Sequence, residues 1–106
     1  MPKEYKHKTV AGFFSAHPER WIKKAEEKTK NGVTCFCLLG KARDLRPGSY
    51  KLVMLSLRLA IKKLFPSFYN HRGDVESKDE VVVIDFNDSR SRTVDDIIAV
   101  AREARV

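Results

Sequence analysis

Residues 49–65 constrain this chain more than any other stretch. They run without proline or glycine from Ser49, a residue type suited to capping a helix, to Phe65. Pro66 follows and lacks the backbone donor that a continuing helix needs. At about 100° per residue, Leu52, Val53, Met54, Leu57, Leu59, Ala60, Ile61, Leu64 and Phe65 cover most of the circumference. Lys51, Arg58 and Lys62 share one narrow strip, and Lys63 lies about a third of a turn away. A helix apolar nearly all round is enclosed by its neighbours on most sides. The rest of the chain is therefore predicted to pack around this element.

A chain of 106 residues has room for one core and one domain. No apolar run reaches the ~20 residues that cross a bilayer, because Lys51, Arg58 and the Lys62-Lys63 pair interrupt the longest candidate. The first eight residues are too polar for the hydrophobic segment of a signal peptide. Two cysteines one residue apart make no disulfide framework, so reduced thiols and a cytoplasmic location are expected, with no membrane partner.

The net charge of +7 is unevenly spread. Residues 1–40 carry eight Lys/Arg against four Asp/Glu, residues 41–73 carry eight against one, and residues 74–106 carry five against nine. The middle of the chain is thus the basic pole, and such a pole attracts phosphate backbones, acidic protein surfaces or anionic ligands.

Taken in order, residues 1–8 read as a flexible basic arm and residues 9–106 as a single globular domain. Thr9 can cap a short helix that turns Phe13 and Phe14 inward. His17-Pro18-Glu19 reads as a second helix start, running to Asn31-Gly32 with Trp21, Ile22 and Ala25 as its apolar stripe. The rival is a hairpin turning at Asn31-Gly32, and composition favours the helix. Residues 33–45 are the most ambiguous segment. The β-branched and aromatic start suggests a strand, whereas Leu38, Leu39 and Lys41-Ala42-Arg43 suit a helix ending near Leu45, and the sequence leaves the two open. If the helix includes Gly40, that glycine is expected to permit a close crossing, since it weakens a helix by roughly 1 kcal/mol relative to alanine. Arg46-Pro47-Gly48 is a turn, and residues 67–79 read as a polar connection. Residues 80–86 give the strongest strand signal, with 33–36 as the best pairing partner. Thr93 then opens a last helix, with Asp96 as its capping-box acid.

The run Cys-Phe-Cys-Leu-Leu-Gly at 35–40, with Trp21 and Asn31-Gly32 before it and Phe86-Asn87-Asp88, Arg92-Thr93 and Asp96-Ile97 after it, resembles an uncharacterised family of small bacterial and phage proteins. That family's hallmarks are Trp-Cys-Leu-Leu-Gly-Ala near its middle and Asn-Asp…Arg-Thr…Glu-Val near its C-terminus. Here Phe36 stands where the family has tryptophan and Lys41 where it has alanine. The resemblance implies a small, mostly helical fold in a bacterial host cell, and no activity.

Several residue groups invite a chemical role. Cys35 and Cys37, with His7, His17 and His71, suggest zinc, but there is no second Cys/His pair at ligand spacing, so buried thiols and no metal are expected. Cys37 as a nucleophile needs a depressed pKa and a neighbouring base. Asp85, Asn87, Asp88, Asp95 and Asp96 form an acidic cluster fit for a divalent cation or for hydrolysis of a phosphorylated or nucleotide-like substrate. The plainer reading makes Asn87, Asp88, Arg92, Thr93 and Asp96 turn and cap residues. Arg72-Gly73-Asp74 is turn chemistry. The basic set of Lys41, Arg43, Arg46, Lys51, Arg58, Lys62, Lys63 and Arg72 is the candidate binding site, with Tyr50, Phe68 and Tyr69 available to stack on bases. No helix-turn-helix, RRM or KH pattern accompanies it.

The sequence therefore predicts an α+β, predominantly helical fold. Four or five helices pack around the central one, with a small two-stranded sheet. It points to a binding protein without catalysis or cofactor, whose basic surface engages nucleic acid or a nucleoprotein complex. The phage association of the family it resembles implies, as the main alternative, a phage-encoded inhibitor of a host nucleic-acid-guided defence complex acting by protein–protein binding; a small enzyme using the Asp85/Asp88 cluster is the second.

Overall fold

The computed structural model describes residues 8–72 and 78–106, without the side chains of His71 and Arg72. The arm at 1–7, the side chain of His71 and most of the Arg72-Gly73-Asp74 turn lie outside the described residues. The fold is predominantly helical α+β, with six α-helices and one two-stranded antiparallel sheet among the described residues.

Helix α1 (Val10–Ala16) is capped by Thr9, whose hydroxyl accepts from Gly12 N at 3.0 Å, and it buries Val10, Ala11, Phe13 and Phe14. A single 3-10 turn at Pro18–Arg20 follows where a longer helix was predicted. The chain then runs irregularly into strand β1 (Glu27–Lys30), which pairs with β2 (Val33–Phe36) in the register Glu27↔Phe36 to Lys30↔Val33. Asn31 and Gly32 both have positive φ, the geometry of a type I′ hairpin turn. The helix reading of 18–30 fails because its stripe held only three apolar residues. Pairing satisfies the backbone instead: Ile22 N donates to Phe36 O and Cys37 N to Glu26 O, both at 3.0 Å.

Residues 33–45 divide into that strand and helix α2 (Leu38–Leu45). Cys37 Sγ caps α2 by accepting from Gly40 N at 3.2 Å. The close crossing expected at Gly40 is present, since a β-carbon there would collide with the carbonyl of Glu26. After a 3-10 turn at Pro47–Ser49 comes the central helix α3 (Tyr50–Leu64). Ser49 makes no side-chain cap, and Pro66 both ends α3 and opens helix α4 (Pro66–Arg72), where a loop was predicted.

The largest correction falls on the predicted strand at 80–86, which is helix α5 (Asp79–Asp88). Asp79 and Glu80 sit in its first turn, favourable to the helix dipole, and Val82, Val83 and Phe86 share its buried face. Tertiary burial of that face overrides the preference of four consecutive β-branched residues for strand. Accordingly 33–36 pairs with β1 and not with this segment. Helix α6 (Val94–Ala104) opens with the predicted Thr93–Asp96 capping box and buries Ile97, Val100 and Ala101.

One apolar cluster joins α1, β2, α2, α3, α5 and α6. Phe65 and Phe68 meet Phe86 edge-on, with ring centroids 4.9 and 5.5 Å apart, and the Arg92 guanidinium lies 3.7 Å above Phe86. Asn87 is fully buried at the end of α5, inside the helix rather than in a turn. Its Oδ1 accepts from Trp21 Nε1 at 2.6 Å and Leu38 N at 3.0 Å, while Nδ2 donates to Ile22 O at 3.0 Å and Asp88 Oδ1 at 3.1 Å. That amide fastens the hairpin entry and the start of α2 to α5.

Asn87→Ala strands the Trp21 and Leu38 donors, and chemical denaturation is expected to show a loss of roughly 2–4 kcal/mol. A loss below about 1 kcal/mol would contradict this role. Gly40→Ala, which in an unobstructed helix stabilises by about 1 kcal/mol, is expected to destabilise by about 1–3 kcal/mol in the same assay, because the Glu26 backbone blocks the added methyl.

Candidate functional site

The basic residues of the central third emerge from α2, the turn after it, α3 and α4, and their surroundings differ sharply. Lys41 is 2% exposed. Its Nζ bonds Asp44 Oδ2 at 2.9 Å and sits 3.8 and 4.3 Å from the ring centres of Phe13 and Phe36. This ammonium belongs to the interior and takes no external ligand. Arg43 Nη1 donates to both Glu26 oxygens at 2.8 Å, and Nη2 donates to the Tyr50 hydroxyl at 2.9 Å. That hydroxyl in turn donates to Glu80 at 2.7 Å. Burial and the Glu80 bond together raise the Tyr50 phenol above its ordinary pKa. Arg58 donates from Nε to the Tyr69 hydroxyl at 2.9 Å and from Nη1 to Asp79 Oδ1 at 3.1 Å, tying α3 to α4 and α5. Lys63 pairs with Glu103 of α6 at 2.8 Å.

Three members of the set have no carboxylate partner among the described residues: half-buried Arg46 and exposed Lys51 and Lys62. Arg72 ends α4, and its side chain lies outside the described residues. The proposed stacking residues are engaged as well. Tyr50 and Tyr69 hold arginines, and Phe68 packs on Phe86.

Lys51 and Lys62 flank a feature that hydropathy alone did not single out. Helix α5 covers the flank of α3 that carries Arg58, and α6 covers the flank that carries Lys63. Between them Leu52, Leu55 and Leu59 are 68%, 43% and 56% exposed, so this helix is not enclosed on most sides as predicted. The outer face of α3 is a ridge of leucine edged with lysine.

A second cationic element is the hairpin, whose β1 residues are all exposed. Lys28 and Lys30 alternate with Glu27 and Thr29 and so share one face. The Asn31-Gly32 turn signal behind an alternating Lys-Thr-Lys marks this element, and the helix reading hid it. A two-stranded ribbon of this kind has the dimensions to enter a duplex major groove.

The acidic cluster is dispersed into structural work. Asp88 Oδ1 accepts from Lys24 N at 2.8 Å and from Asn87, and Asp96 closes the Thr93 capping box. Arg92, apart from its 3.5 Å contact with Asp96, donates to Phe86 O and lies over aromatic rings. Among the described residues no three His, Cys, Asp or Glu side chains are grouped to hold a metal ion. Cys35 and Cys37 are buried free thiols. Burial pushes the Cys37 thiol above its ordinary pKa, away from nucleophilic reactivity. No described helix is long and apolar enough to cross a membrane.

No protein-family model matches this sequence, and no curated protein or solved structure matches it either.

Proposed function

We propose that this protein is a non-catalytic binding protein that uses a basic surface to engage nucleic acid or a nucleoprotein complex. The observation that carries the reading is what remains after internal pairing. The carboxylates Glu26, Asp44, Asp79, Asp96 and Glu103 are each occupied by a cation of the same chain. Lys51 and Lys62 on α3, and Lys28 and Lys30 on the hairpin, stand exposed with no carboxylate pairing them among the described residues. Lysines left in water in this way can neutralise phosphates and release counterions, which gives affinity without base specificity. Arg43 and Arg58 support the surface by holding it together and are not its contacts.

A second reading is favoured by the leucine ridge. A protein partner buries leucine, which bare nucleic acid does not, so an inhibitor of a host nucleic-acid-guided defence complex, acting by protein–protein binding, fits the same face of α3. The phage association of the family resemblance gives this reading its biological setting.

Gel retardation of a fluorescent duplex is expected at low salt, with the logarithm of affinity falling linearly with that of salt concentration. The double reversal Lys51→Glu/Lys62→Glu, made on exposed side chains, is expected to keep the melting temperature and to reduce the magnitude of that slope by roughly 2. Lys28→Glu/Lys30→Glu repeats the measurement for the hairpin. Absence of retardation at low salt, or indifference to both reversals, overturns the nucleic-acid reading.

A further inference from the structure

We infer that the outer face of α3 is a docking site for an acidic amphipathic helix of a partner protein. The inference rests on the second reading, in which the leucine ridge takes a protein partner, and names that partner's chemistry. Leu52, Leu55 and Leu59 recur at i, i+3 and i+7, the spacing with which one helix presents anchors to another. They are the most exposed leucines of the described chain, and they stand together on one helix face. Isolated exposed leucines need no explanation, but three in register on one helix do.

Charge complementarity selects the occupant. Lys51 and Lys62 line one edge of the ridge and pair with no carboxylate among the described residues. A helix laid along it meets their ammonium groups there, while Lys63 on the other edge is held by Glu103. A partner with leucine-like residues toward α3 and Asp or Glu on its flanks satisfies both features at once. The relief fits too. Beside Leu59 a cleft of about 260 Å³ opens between α3 and the end of α6, with the small residues Ser56 and Ala60 on its α3 side. Ridges of an incoming helix pack into such grooves.

Other occupants fit less well. Phosphate backbones pair with the lysines but leave the leucines in water, and base stacking needs aromatic faces, of which this ridge has none. A second copy docked face to face by a two-fold axis would set lysine edge against lysine edge.

The test uses a fluorescein-labelled helical peptide with leucine at i, i+3, i+4 and i+7 and glutamate on its flanks. Its controls are a scrambled peptide of the same composition, a duplex oligonucleotide and phosphatidylserine vesicles. Anisotropy is expected to show the ordered peptide binding at least tenfold tighter than the scramble. Leu55→Ser/Leu59→Ser, a change on solvent-facing side chains, is expected to abolish that preference while leaving the melting temperature and duplex retardation unchanged. Equal binding of ordered and scrambled peptides, or indifference of the ordered peptide to the leucine change, overturns the docking site. Vesicle binding without peptide preference overturns it in favour of a membrane surface. Concentration-dependent sedimentation abolished by the leucine change overturns it in favour of a second copy. Failure to bind any anionic probe removes the basic-surface reading itself, whereas duplex binding without peptide preference removes only this inference.

Discussion

The fold depends on a single buried amide. Asn87 has no exposure, and an unpaired polar group there would face the full cost of desolvation. Instead both ends of its side chain are used, toward the Trp21 indole, the Leu38 amide, the Ile22 carbonyl and the Asp88 carboxylate. Leu38 opens α2, and the first amides of a helix have no partner within it, so Asn87 fills a vacancy created by helix geometry. Trp21 and Ile22 belong to an irregular stretch that is tied to β2 by a single isolated bridge at Phe36. One side chain thus supplies what a longer strand or a better cap would otherwise provide. Asp88, held by the same amide, extends the clamp to Lys24, whose positive φ marks a backbone fixed from outside.

From that clamp follows the arrangement around α3. With α5 anchored at its C-terminal end, its buried valines and Phe86 face α3, while α6 takes the adjacent flank through Ile97, Val100 and Ala101. Among the described residues the helices around α3 do not reach all the way round it. The two flanks are closed by ion pairs at their margins, Arg58 with Asp79 and Lys63 with Glu103, and the strip between the margins stays open. The leucine ridge lies between the two covering helices α5 and α6, and its edges carry lysine.

What could be read from residues alone follows the range of the interactions involved. Elements with short-range punctuation were legible: the Thr9 cap, the turn at Pro47, the span of α3 and the Thr93–Asp96 box each depend on neighbours within four positions. Gly40 was legible as a crossing because a glycine in a helix demands a reason. Elements decided at long range were not. Four β-branched residues at 81–84 prefer strand locally, and only packing against α3 makes them a helix. The hairpin lost to a helix reading because Trp21, the best apolar residue of that stretch, serves Asn87 some 66 positions away and not a helical stripe.

The candidate site shows the same limit more sharply, because charge counting has no knowledge of partners. Lys41, Arg43, Arg58 and Lys63 look alike in sequence to Lys51 and Lys62. Their fates divide according to which carboxylate the fold brings near: Asp44 one turn on, Glu26 from the hairpin entry, Asp79 from α5 and Glu103 from α6. Lys41 goes furthest. The interior accepts its ammonium because two aromatic faces and one carboxylate together replace water. Part of the acid in the last third of the chain is therefore matched to the basic middle. Asp79 and Glu103 pair with Arg58 and Lys63, so the positive charge that α3 still presents outward is more localised than composition suggests. It is also set beside leucine, so any occupant of this face would have to match both the charge and the apolar spacing, a stricter demand than a diffuse basic surface would make.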